Sequence, residues 1–273
     1  MTISRPVLKY YGGKFKLAPW IISHFPVHEC YIEPFGGAAS VLLMKKPARY
    51  EIYNDLNLEV VNLFRVLRDP ITARKLMHLL KLTPYSRTEW ISCFDDSHTD
   101  PVEQARRTIV KSLMSVGNSQ ESPKPKGFRV HTENYHYLPQ YFKEYRDHLR
   151  LIIQRLKDVT IENIDAIELM LKNDRESTLL YLDPPYLLRR RMDHGYAHEM
   201  KTETEHETLL KVLFGLKSKI VLSGYEHPMY FDLLRGWKTF SKNTTTGSRT
   251  KGKCSAREII FLNPACFQQQ TLF

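Results

Sequence analysis

The sequence predicts a doubly wound α/β sheet interrupted by a helical insert. Three observations carry that expectation. Leu179-Leu180-Tyr181-Leu182 is apolar without alternation, as in a strand covered on both faces, and it runs into Asp183-Pro184-Pro185-Tyr186. The stretch from Cys30 to Met44 reads as strand, glycine turn and helix. The strand–helix alternation then breaks between Asp69 and about Arg155 and resumes afterwards. The chain has 273 residues, enough for one large domain or one domain with an insert.

Taken in order, Leu8-Lys9-Tyr10-Tyr11-Gly12-Gly13-Lys14 joins aromatic rings to a glycine pair and a lysine. The glycines allow a tight turn from which Lys14 projects, before a helix beginning near Leu17. Cys30-Tyr31-Ile32-Glu33 is a strand, and Pro34-Phe35-Gly36-Gly37-Ala38 is the turn in front of a helix reaching Met44. Small residues there let a ligand approach the backbone, and the helix start offers N–H groups. A second strand, Tyr50 to Tyr53, ends in Asn54-Asp55, about twenty residues past the glycines, where an acid accepts hydrogen bonds from ribose hydroxyls. The competing role for Asn54 or Asp55 is to cap the helix from about Asn57 to Arg68.

The insert contains a helix over Pro101–Val116, then an irregular basic stretch, Gly117 to Leu138, that includes Lys124, Lys126, Arg129, Asn134 and Tyr137. Cations, amides and aromatic rings in one long loop suit phosphate anchoring and base-edge contacts. After it come a strand from Val159 to Asn163, Asp165, a helix to about Lys172 and the central strand ending at Leu182. Pro184 and Pro185 stop that strand and hold Asp183 and Tyr186 on a stiff corner at its carboxyl end, where open α/β sheets bind ligands. Arg189-Arg190-Arg191 follows in a polar loop suited to gripping phosphates. A helix over Thr204–Leu216, a strand over Lys219–Ser223, a helix over Met229–Arg235, a loop over Thr244–Ser255 and a β-rich run over Arg257–Leu262, the hairpin that closes the sheet, complete the chain.

Lys and Arg number 40 against 30 Asp and Glu, a formal charge of +10 that favours a polyanionic partner. Cys30, Cys93, Cys254 and Cys266 lie far apart, which points to free thiols in a reducing cytoplasm and away from zinc or a disulfide framework. With no signal peptide and no run apolar enough to span a bilayer, a membrane is not expected as a partner.

Tyr10-Tyr11-Gly12-Gly13-Lys14, Glu33-Pro34-Phe35-Gly36-Gly37, Asn54-Asp55, Asp183-Pro184-Pro185-Tyr186 and Leu222-Ser223-Gly224-Tyr225 occur in that order. Together they closely resemble the Dam-type DNA adenine-N6 methyltransferases of phages and bacteria, which use S-adenosylmethionine, from about Leu8 to Leu262 with the insert poorly matched. The resemblance implies a Rossmann-like methyltransferase sheet with a C-terminal β-hairpin. Residues 1–68 and 156–273 would form the catalytic domain, and 69–155 a helical target-recognition insert. It implies S-adenosylmethionine contacts from Tyr10, Lys14, Glu33, Phe35, Gly37, Asp55, Asp165 and Asp183, and chemistry by Asp183, Pro184 and Tyr186 on a flipped-out adenine, without a metal. Lys14 would lie near the cofactor carboxylate, Asp55 on the ribose and Asp165 on the cofactor adenine. Ala39 stands where the family has a glycine, so the backbone there is not expected to take positive φ freely. The expected partner is double-stranded DNA in a bacterial or phage-infected cytoplasm, met as a monomer or a DNA-induced dimer. A cognate restriction endonuclease stays open, as do cytosine-N4 or RNA adenine methylation and a non-catalytic nucleic-acid-binding role. The recognition sequence is open too, GATC being only the family's commonest target.

Overall fold

A computed structural model describes residues 3–9, 12–95, 99–116, 125, 127–130, 138–186, 200, 202–224, 226–246 and 254–268. Seven strands form one sheet in the order β3-β2-β1-β4-β5-β7-β6. They are β1 (Cys30–Glu33), β2 (Tyr50–Asn54), β3 (Val159–Glu162), β4 (Thr178–Leu182), β5 (Lys219–Gly224), β6 (Lys238–Thr246) and β7 (Cys254–Leu262). The first five pair in parallel, whereas β7 runs antiparallel to both β5 and β6. The sheet order therefore grows outward in both directions from the β1–β4 neighbours, and the carboxyl ends of β1 and β4 open a crevice between them.

Both faces are covered, as the unbroken apolar run in β4 requires. Leu179 and Tyr181 belong to one core, with Tyr31, Tyr53, Phe64 and helices α2 (Ser40–Met44), α3 (Leu58–Arg68) and α7 (Leu138–Leu156). Leu180 and Leu182 point the other way, into a second core with Ile220, Leu222 and helices α8 (Ala166–Lys172), α9 (Glu203–Phe214) and α10 (Pro228–Leu233). A short α1 (Ala18–Ile22) starts where Lys14 O accepts Leu17 N and Ala18 N, at 2.9 and 2.7 Å. Asn57, one of the expected boundaries, caps α3: its side chain accepts Glu59 N at 3.0 Å.

Between residues 69 and 155, α4 (Pro70–Leu82) and α6 (Pro101–Met114) pack with α3, α4 also with α7, and α5 (Arg87–Ser92) packs on α6. Leu76, Trp90 and Ile109 join the same core as Tyr53 and Phe64, so these helices extend the sheet's packing. Helix α6 is buried nearly all round, and its cations survive there through partners: Arg106 and Arg107 on Glu103, Lys111 on Glu59. It ends at Met114, two residues before the expected end. Ser115 bridges to Phe128 instead, and Phe128 packs against Tyr85 and Trp90 at ring distances of 5.4 and 5.7 Å.

One expectation is corrected. Thr244 to Ser255 is not wholly loop: Thr244, Thr245 and Thr246 pair with Ala256, Ser255 and Cys254, extending the closing hairpin at both strands. The outer strand β6 carries Lys238, Thr239, Phe240 and Ser241 exposed, so it lacks the apolar periodicity by which a strand is read. No described helix is long and apolar enough to cross a membrane.

Candidate active site at the crevice

A cavity of about 720 Å³ lies over the carboxyl ends of β1, β2 and β4. That is within the range of roughly 300–1,000 Å³ found for small-molecule sites. Its floor is the turn after β1, Glu33 to Ala38; one wall is Asp55 to Asn57 and Asp165 to Ile167, and the other holds Gly12, Gly13, Lys14, Asp183 and Pro185.

The turn owes its shape to close approach. A Cβ on Gly36 would sit 2.1 Å from a Tyr53 ring carbon and 2.9 Å from Asn54 O, while Gly36 N donates to that same oxygen at 2.8 Å. Tyr53 is itself held, its hydroxyl donating to Gly37 O at 2.7 Å. Gly36→Ala is therefore expected to destabilise by about 1–3 kcal/mol or more, read as a lower denaturation midpoint; an unchanged midpoint would contradict the clash. Gly37 takes φ 47°, and so, against expectation, does Ala39, at φ 51° and ψ 34°. Its backbone enters α2 in the left-handed region despite its Cβ, a strain of roughly 1–2 kcal/mol that the surrounding packing holds in place.

Asp55 ties its wall to the floor. Its carboxylate accepts Gly37 N at 2.7 Å and Asn57 N at 2.8 Å. Asp165 lines the cavity while capping α8, accepting Ile167 N and Glu168 N at 2.9 and 3.0 Å. Asn54, fully buried, stitches three segments together: its amide donates to Pro34 O and Ile164 O at 2.9 and 3.0 Å and accepts Ile164 N at 2.9 Å.

Glu33 is buried in the floor and accepts both Tyr31 Oη and Leu42 N at 2.6 Å on one oxygen. Burial pushes its carboxyl up to about 8, with the nearby Asp183 charge acting in the same direction and its two hydrogen bonds opposing. The folded protein thus holds a proton there that the unfolded chain, titrating near 4.3, has released. Stability should fall as pH rises from about 4.5 to 8, by up to about 1.4 kcal/mol per pH unit from this group. Glu33→Gln, which keeps the acceptor oxygen, should flatten that decline in urea titrations at several pH values; equal slopes would contradict the assignment.

At the corner, Asp183 and Tyr186 meet two residues from distant parts of the chain. Lys14 Nζ lies 2.9 Å from Asp183 Oδ1, 3.1 Å from Gly12 O and 3.6 Å from Glu258 Oε1, and 4.6 Å from the Tyr186 ring centre. Tyr186 Oη is 2.8 Å from Asp183 Oδ1 and 2.6 Å from Glu258 Oε1. Burial, then the charges of Asp183 and Glu258, raises the Tyr186 phenol well above its usual range, so it remains protonated. Lys14, expected beside a cofactor carboxylate, lines the cavity but carries its ammonium on Asp183. Pro184 is buried, and Phe35 lines the floor.

Of the expected DNA-contacting residues only Arg129 lies within the described part. Its guanidinium stands 5.7 Å from the Tyr141 ring centre, with Arg5 and Lys9 over the same ring at 5.0 and 5.9 Å. Tyr10, Lys124, Lys126, Asn134, Tyr137, Arg189, Arg190 and Arg191 lie outside the described residues. Sequence reasoning missed Glu258, whose one signal is an acid directly before the apolar Ile259-Ile260-Phe261. Among the described residues, no cluster of His, Cys, Asp and Glu could hold a metal ion.

A doubly wound sheet with a glycine turn after β1 and carboxylates past β2, β3 and β4 makes this a protein of Rossmann-like fold. The profile of the D12 class N6 adenine-specific DNA methyltransferases matches residues 10–245, and the chain belongs to that family. It is 40% identical over 68 residues to the DNA adenine methylase of Escherichia coli (strain K12), covering 25% of this chain and 24% of that protein. Against the DNA adenine methylase of Haemophilus influenzae it is 45% identical over 65 residues, 23% of this chain and 22% of the other. The matched part thus spans about a quarter of the length of those methylases. A match along nearly the whole chain, 26% identical over 289 residues and covering 95% of each protein, is to the type II methyltransferase M1.LlaDCHI of Lactococcus lactis subsp. cremoris.

Proposed function

We propose that the protein is a site-specific DNA methyltransferase that places a methyl group on the exocyclic amine of adenine, with S-adenosylmethionine as donor. The observation that carries this reading is Asp183 on its proline-fixed corner at the cavity wall, with one oxygen within reach of both Lys14 and Tyr186. When bound, S-adenosylmethionine supplies an electrophilic methyl group. The cavity suits it in size and chemistry: Asp55 and Asp165 offer acceptors for ribose hydroxyls and an adenine amine, and the Phe35–Gly37 turn, with its small residues, lets the group approach the backbone. Tyr10, Glu33 and Lys14 complete the set assigned to the cofactor's other end.

The adenine amine is a weak nucleophile because its lone pair is delocalised into the ring. The Asp183 carboxylate and the Pro184 carbonyl would accept its two N–H bonds, favouring a pyramidal nitrogen whose lone pair is aimed at the methyl group. That is positioning and preorganised electrostatics. An amine inside the duplex is reached by flipping the base out, and the Tyr186 ring would stack on it, offsetting a few kcal/mol of unstacking. Residues 69–155 would read the target sequence. Arg129 and the basic residues Lys124, Lys126, Arg189, Arg190 and Arg191 would contact phosphates, with Asn134 and Tyr137 as base contacts, in keeping with the +10 charge.

The test is to incubate the protein with labelled cofactor and duplex DNA or RNA, digest to nucleosides and identify the product by mass spectrometry. N6-methyldeoxyadenosine from duplex DNA is expected. N4-methylcytosine, or methylation of RNA alone, would replace this reading, and no transfer to any nucleic acid would overturn it.

A further inference from the structure

Glu258 is the buried acid that neither the sequence motifs nor the proposed chemistry uses. It sits on β7 one residue beyond the Gly224–Ile259 pairing, its side chain 4% exposed against 20% for Asp183. Tyr186 Oη lies 2.6 Å from Glu258 Oε1 and 2.8 Å from Asp183 Oδ1. A phenol has one proton, so it can donate to only one of two carboxylates; two ionised acids would leave one short oxygen–oxygen contact without a hydrogen. A single added proton on a carboxyl resolves both contacts. Lys14 decides which acid stays ionised, being 2.9 Å from Asp183 but 3.6 Å from Glu258.

We infer that Glu258 is a neutral carboxylic acid that donates to Tyr186 Oη, so that the phenol donates to Asp183 and fixes both the ring and the ionised carboxylate for the adenine amine. Glu258 is thus a positioning residue, acting through Tyr186; the inference rests on the assignment of Asp183 and Tyr186 to the reaction. Among the described residues, the groups facing it are Lys14 ahead of α1, Asp183 and Tyr186 after β4, and Tyr181 within β4. Lys242, its register partner on β6, lies 5.9 Å from the Trp20 ring centre. Burial, the largest influence, raises the Glu258 carboxyl with help from Asp183, against the Lys14 charge and the hydrogen bonds with Tyr186 and Lys14.

Two measurements test this. Infrared difference spectra of the protein alone, wild type against Glu258→Gln, should show a protonated-carboxyl band at neutral pH that disappears on raising the pH. Its absence overturns the inference whatever the protein's activity proves to be. In methyl-transfer assays, Glu258→Ala should lower kcat on the order of 10²-fold with little change in KM for the cofactor. Glu258→Gln, whose amide can donate to Tyr186, should recover kcat to within about tenfold and lose a falling alkaline limb that wild type shows. A Glu258→Gln pH profile superimposable on wild type, or an alanine variant as fast as wild type, would also overturn it. Failure of the wild type itself to methylate adenine would instead strike at the parent reading and leave the spectroscopic result standing.

Discussion

Asp183→Asn is expected to lower the rate of methyl transfer to DNA by about 10³-fold, some 4 kcal/mol of transition-state stabilisation. The substitution preserves volume and leaves Lys14 one acceptor oxygen, so the buried ammonium keeps a partner and the fold should survive. What is lost is charge. An amide offers one acceptor and two donors where the carboxylate offers acceptors only, and a donor turned to the adenine amine repels its N–H groups. Tyr186 would retain Glu258, so the ring should remain near its place. Single-turnover assays with labelled cofactor, beside calorimetric cofactor binding, check this. A rate within tenfold of wild type would remove Asp183 from the chemistry.

Asn54→Ala should produce the largest loss of stability among the substitutions considered. The change strands Pro34 O, Ile164 O and Ile164 N beside a fully buried position. Each unsatisfied group costs about 1–3 kcal/mol, so a total on the order of 4 kcal/mol is expected, a large part of the 5–15 kcal/mol that holds a typical domain. Cofactor affinity should fall with it, because these bonds lock the turn after β1 to the loop carrying Asp165 across the cavity. Thermal melts and calorimetry provide the check; a melting temperature lowered by less than about 2 °C would show that the stitch is dispensable.

The motifs legible in the chain were those in which one residue type has few substitutes. Gly37 takes positive φ, Pro184 and Pro185 must end a strand, and an unbroken apolar run such as Leu179–Leu182 must be covered twice. Those constraints are local in sequence, and with the family match over residues 10–245 they establish the fold and the family. Other features depend on neighbours far along the chain. Lys238 to Asn243 of β6 are exposed and carry no apolar alternation, so the strand's place in the hairpin shows only in its pairing with β7. Ala39 takes a conformation its own side chain disfavours because the packed turn imposes it.

The site divides in the same way. That an acid and an aromatic ring stand on a rigid corner follows from Asp183-Pro184-Pro185-Tyr186 by itself, because proline removes the backbone freedom and the donors that would continue the strand. What surrounds that corner was decided by the tertiary fold. Lys14 and Glu258 lie near opposite ends of the chain; the sheet order β4-β5-β7 brings Glu258 to the Tyr186 phenol oxygen, and the turn ahead of α1 brings Lys14 to the Asp183 carboxylate. The protonation of a buried acid depends on which charges and dipoles the fold sets around it, and no local pattern of residues encodes that.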